Sequence, residues 1–205
     1  MNILTRWAAK LNEFEIGHFT VAGNFILFDD RVRILRRVSD AFGDLYYELF
    51  FYESGMDGYE FSSCAFCLPR SYTDITPRQI LANALPHYAL YIEQFDEKSV
   101  LTGALGAALG WRLFGRDYDL EIGRLAGVNL YPSCPLENFY DCDVDIFLPP
   151  FDMEINPKNY DVTLRIRLWL GRNLESRQCA HKIHPSELAR IGYNGICQMV
   201  SLLLI

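Results

Sequence analysis

A chain of 205 residues, half of them hydrophobic and 14% aromatic, can bury a sizeable core without metal or disulfide staples and falls outside the disordered and low-complexity classes. Its net charge of −7 and pI near 5.1 repel a phosphate backbone overall, which argues against direct nucleic-acid binding; Arg31, Arg33, Arg36 and Arg37, and later Arg165 and Arg167, read as solvated basic faces. The six cysteines are spread along the chain with no secretory signal ahead of them, a usage that fits reduced thiols in a cytosolic compartment.

Residues 2 to 11 predict a short amphipathic helix, with Ile3, Leu4, Trp7, Ala8 and Leu11 on one side, suited to covering a sheet edge. From His18 to Phe28, Phe19, Val21, Phe25 and Leu27 alternate with Thr20, Ala22, Asn24 and Ile26. That period of two predicts one strand, with Gly23 marking a bulge or close contact and Asp29 and Asp30 ending it. Next, Ile34, Leu35, Val38, Ala41, Phe42, Leu45, Tyr46 and Leu49 recur at spacings of three and four, opposite Arg33, Arg36, Arg37 and Asp40. The pattern predicts a helix in which Arg36 and Asp40 pair across one turn. Gly55, Asp57 and Gly58 mark a turn, and Tyr59 to Leu68 reads as a strand rich in aromatic and small residues.

Leu68 to Pro86 holds a compact helix-start signal. Thr76 can cap a helix opening at Pro77, and Gln79 can reach back in a capping box, so a short helix is predicted to about Leu85 before Pro86 breaks it. A further helix resumes in HYALYIEQF from His87. Ser99 can then cap an apolar helix from Val100 to Phe114, whose Gly103, Gly106 and Gly110 share a face and let another element approach closely. The apolar run from Val100 to Leu113 falls short of the roughly 20 residues that cross a bilayer, so a buried helix is expected and no transmembrane segment.

The second half changes period. Tyr118 to Ile122 and Ala126 to Tyr131 read as short strands, and Cys142, Val144 and Ile146 alternate with Asp141, Asp143 and Asp145. In the strand Tyr160 to Leu170, Val162, Leu164, Ile166, Leu168 and Leu170 face inward, and Asp161, Thr163, Arg165, Arg167 and Trp169 outward. If these two strands pair, an acidic outer row faces a basic one. Pro185 opens a last helix or pair of helices interrupted by Gly192 and Gly195, and the tail MVSLLLI docks on the core. The expected fold is a single α+β domain over residues 1–205, with helices mainly in the N-terminal half and a mostly antiparallel sheet in the C-terminal half.

Three constellations bear on chemistry. Cys64-x-x-Cys67 is half of a zinc or redox motif that Cys179, His181 and His184 could complete; inside the apolar strand EFSSCAFCLP the plainer reading is inert thiols. Asp141-x-Asp143-x-Asp145 opens like a calcium loop, but Ile146 stands where the sharp turn needs Gly, leaving a solvated acidic face. The glycines at 103, 106 and 110 match no phosphate-binding pattern, and His18, His87, His181 and His184 have no evident nucleophile partner. No catalytic residue, metal or cofactor is assigned, and a non-enzymatic interaction protein is expected.

The order GNFILFDDR (Gly23 to Arg31), an apolar helix ending in AFGDL (Ala41 to Leu45), Leu68-Pro69, and a second Leu-Pro at Leu85-Pro86 followed by HYALY resembles the N-terminal half of the P0 silencing-suppressor proteins of poleroviruses and related plant viruses. The likeness covers roughly residues 18 to 95. Those proteins carry a minimal F-box-like motif of Leu-Pro, two residues, Leu or Ile, ten to thirteen residues and Pro. The matching positions are Leu68, Pro69, Tyr72 (where the family has Leu or Ile) and Pro86, with residues 73 to 85 as the spacer. The resemblance implies an adaptor in the host cytoplasm, holding a Skp-type subunit of a cullin ubiquitin ligase with this stretch and an Argonaute protein with another surface. Two further readings are a structural assembly protein similar to rhabdovirus matrix proteins, from the strand, RILRRVSDAF and TLRIRLWL, and a small zinc-binding or orphan enzymatic domain.

Overall fold

The computed structural model describes residues 2–39, 45–50, 62–67, 97–115, 118–121, 123–127, 139–170 and 175–203. A first helix, α1 (Ile3–Asn12), is capped by the Asn2 side chain on the Leu4 N–H and buries Leu4, Trp7, Ala8 and Leu11. It packs on the hairpin of β1 (Phe19–Ala22) and β2 (Phe25–Phe28). The Asn12 side chain mimics a strand neighbour: its amide donates to the Phe19 carbonyl at 2.8 Å and its oxygen accepts the Phe19 N–H at 2.8 Å.

Residues 19–28 were expected as one strand and are two, because Gly23 takes a φ of +60° and closes a two-residue turn between them. No atom lies within 4 Å of a Cβ placed at Gly23, so the glycine serves the turn and not a close contact. The turn also shifts the parity of burial: Phe19 is buried before it, and Ile26 and Phe28 after it.

The larger departure follows. The expected helix over residues 33–49 is a pair of strands, β3 (Val32–Ser39) and β4 (Leu45–Phe50), with β5 (Ser62–Cys67) alongside. The same residues satisfy both periods, since Val32, Ile34 and Leu35 are buried while Arg33 and Arg36 lie over the Phe25 ring at 4.7 and 5.9 Å. Pairing of β3 with β2 decides the outcome, and a register shift at Ile26/Leu27 lets adjacent Ile34 and Leu35 both go inward. The expected Arg36–Asp40 pair falls at Asp40, which lies outside the described residues. The expected helices from Pro77 and from His87 lie outside the described residues.

Helix α2 (Glu97–Phe114) begins two residues before Ser99, which therefore sits inside its first turn instead of capping it. It is buried almost all round and packs against α1, β3, β4, the hairpin of β6 (Tyr118–Glu121) and β7 (Arg124–Gly127), and the last helix, α3 (Pro185–Leu202). The expected role of the glycines holds at two of them. A Cβ on Gly106 would come 2.7 Å from Leu120 Cδ1, and one on Gly110 would come 2.5 Å from the Tyr118 ring.

The second sheet adds β8 (Phe139–Phe147), β9 (Val162–Leu170) and β10 (Glu175–Ile183). Both sheets are antiparallel and run strand to neighbouring strand, β1-β2-β3-β4-β5 and β10-β9-β8-β7-β6. The chain is thus α+β, although a five-stranded sheet fills much of the half expected to be helical. Within α3, Gly192 leaves helical geometry at φ +61° and divides it, whereas Gly195 stays helical with Ile191 Cβ 2.7 Å from where its own Cβ would stand. Val200 is fully buried and Leu202 is 70% exposed, so the tail docks in part. One apolar cluster joins Trp7, Ile34, Leu109, Leu164 and Leu188, drawn from α1, both sheets, α2 and α3.

Candidate functional site

The motif residues Leu68, Pro69, Tyr72 and Pro86 lie outside the described residues. Leu68 follows directly on Cys67, the last residue of β5, which is the outermost strand of the first sheet. The described residues resume at Glu97. There the Trp7 indole N–H donates to Glu97 Oε1 at 2.6 Å, and Lys98 pairs with Asp152 at 3.0 Å. One turn later the Thr102 hydroxyl donates to the Lys98 carbonyl and accepts the Phe151 N–H at 3.1 Å. These bonds fix the start of α2 to α1 and to the loop after β8.

On the second sheet β8 and β9 pair with Asp145 opposite Arg165 and Asp143 opposite Arg167, the expected meeting of acidic and basic rows. Asp145 departs from the expected solvated face. Its residue is 4% exposed. Arg124 on β7 donates from Nε and Nη2 to Oδ1 at 3.0 and 2.8 Å, and Arg165 donates from Nε, at 3.0 Å, and from Nη2 to Oδ2. Burial pushes the Asp145 carboxyl up, and the hydrogen bonds and charges of Arg165 and Arg124 more than offset it, so it lies below the ordinary carboxylate value. Both carboxylate oxygens are consumed by the two guanidiniums, which leaves no ligand set for calcium here. Beside it Arg165 covers the Phe147 ring at 4.8 Å, Arg167 lies 5.6 Å from the Trp169 ring centre, and the Trp169 N–H donates to Asp143 at 3.2 Å.

The expected cysteine and histidine residues are divided between the two sheets and the start of α3. Cys64 and Cys67 belong to β5 of the first sheet, and Cys179 and His181 to β10 of the second. His184 is structural: the Ser186 N–H donates to its Nδ1 at 3.2 Å, so Nε2 carries the proton and donates to the Pro157 carbonyl at 2.8 Å. With both ring nitrogens taken it has none left for a metal, and among the described residues no group of three His, Cys, Asp or Glu is placed to hold one. Cys142, Cys179 and Cys197 are free, and burial raises the Cys179 thiol. An open cleft of about 500 Å³ is lined by Glu15, Ile16, Arg112 and the start of α3, where Ser186 Oγ lies 2.8 Å from His184 Nδ1.

Sequence reasoning missed β10, where only Cys179 and Ile183 pack against the core and the other described side chains are exposed, so polar residues stand on both faces. It missed the buried role of Asp145 for a different reason. The signal was present in Arg124 and Arg165, but only the pairing of three strands brings them to one carboxylate. No family model, no curated protein and no solved structure matches this chain.

Proposed function

We propose that this chain is an F-box-like adaptor of the kind found among plant-virus suppressors of RNA silencing. It holds a Skp-type subunit of a cullin ubiquitin ligase through Leu68, Pro69, Tyr72 and Pro86, presents an Argonaute protein to that ligase with another surface, and acts in the host cytoplasm. The observation that carries the reading is the order of the motif in the chain: Leu68-Pro69 follows in sequence on the outermost described strand of the first sheet, and Pro86 precedes a helix pinned at Glu97. A docking segment needs that arrangement, with its two ends anchored in a core.

An apolar side chain covered by a partner contributes about 1.5–3 kcal/mol. The double change Leu68→Ala with Pro69→Ala is therefore expected to weaken binding to a plant Skp-type adaptor at least tenfold at an unchanged melting temperature. A pull-down of both forms with paired melting curves checks this, and no capture by the unmutated chain ends the proposal. Neither a matrix-type assembly role nor a zinc site gains support, the latter because its expected ligands are divided between two sheets.

A further inference from the structure

We infer that the free edge of β10 receives an extended acidic segment of a partner protein as an added strand. β10 closes the second sheet and pairs with β9 residue for residue, from Glu175 opposite Leu170 to Ile183 opposite Val162, without a register shift. Its nine residues exceed the other outer strands, which have four in β1, six in β5 and four in β6. Proteins usually blunt such an edge with shortness, a bulge, proline or cover. β10 has no proline and no bulge, and Ser176, Arg177, Gln178, Ala180, His181 and Lys182 are all exposed. Alternate N–H and C=O groups along its outer side have no strand partner among the described residues.

The edge is also held ready. At one end His184 bridges the Pro157 carbonyl and the start of α3, and near the other the Arg177 guanidinium donates to the Leu203 carbonyl at 2.9 Å. A rigid strand loses little freedom on receiving another. Backbone pairing supplies the attraction in strand addition, and side chains select the partner.

Charge identifies the occupant. Arg177 and Lys182 outweigh Glu175 along β10 in a chain whose net charge is −7, and Lys182 has no ion-pair partner among the described residues. A second copy would set this basic strip against itself, so the complement is an acidic strand. This surface belongs to the sheet that does not carry the Leu68 segment, and the inference stands independently of the adaptor reading.

The test uses the full chain and a capped, fluorescent nine-residue peptide alternating Glu with Val, with a second peptide carrying Lys in place of Glu. Fluorescence anisotropy at low salt is expected to show the Glu peptide bound at least tenfold more tightly, and Arg177→Glu with Lys182→Glu to reverse that preference. N-methylation of one alternate set of peptide amides is expected to abolish binding while methylation of the other set is tolerated, a result that does not depend on any variant folding. The inference is overturned if neither peptide binds, if both methylated sets bind as well as the parent, or if β10 is occupied by a second copy of the chain in solution. In the first case Arg177 and Lys182 are guards that keep the edge unpaired.

Discussion

Asp145 carries more of the second sheet's stability than its place in an acidic row suggests. Its carboxylate ties three neighbouring strands through four guanidinium donors, and burial makes those bonds costly to lose. Since its pKa lies below the ordinary 3.8, the unfolded chain binds this proton more readily than the folded one. The stability it adds is whole above that ordinary value and is lost as pH falls through the lower folded one. Asp145→Asn is expected to cost about 2 kcal/mol at neutral pH, with the deficit against the parent shrinking below about pH 4. Urea denaturation at a series of pH values reads both, and a deficit independent of pH would show that the charge is not what holds the strands. No single position announces this role. Cys142, Val144 and Ile146 alternate with the aspartates, which fixes the strand, but which aspartate is enclosed depends on where Arg124 and Arg165 arrive.

Among the elements, α2 shows best how burial can overrule propensity. Glycine costs a helix about 1 kcal/mol against alanine, and Gly110→Ala would recover that in an isolated helix. Here the new methyl would meet the Tyr118 ring at 2.5 Å and Leu125 Cδ1 at 2.8 Å, and the ring is held because its hydroxyl donates to the Ala107 carbonyl at 3.1 Å. The substitution is expected to destabilise the protein by about 1–3 kcal/mol, seen as a lower urea midpoint; a raised midpoint would mean the β6–β7 hairpin does not press on the helix. This close approach was legible in the sequence, because three glycines at helical spacing in an apolar run have few other uses. The β3–β4 strands were not. Ile34, Leu35 and Val38 fit a period near 3.6 as well as a bulged strand, and only the neighbour β2 separates the two.

For the whole molecule, the alternation of β8 and β9 and the acid-to-base register between them could be read from the residues alone, since each strand has one covered face. β10 could not, since only Cys179 and Ile183 of its residues pack against the core. The cysteines also belong at this scale: Cys142, Cys179 and Cys197 are free thiols in separate elements, and titration of the denatured, unreduced chain is expected to count all six, with fewer counting against the reducing-compartment reading. In both sheets every strand pairs with its sequence neighbour, and α2 lies between the sheets in the chain and packs against strands of each. Five of the eight strand pairs are joined by five residues or fewer, which favours quick assembly of those hairpins. Among the described elements α1 covers the β1–β2 end of the first meander, and α2 covers β3, β4 and the β6–β7 hairpin. Docking of α2 on the two sheets is therefore expected to come late in folding, and until residues 97–114 leave the ribosome β3 and β4 lack the helix that covers them.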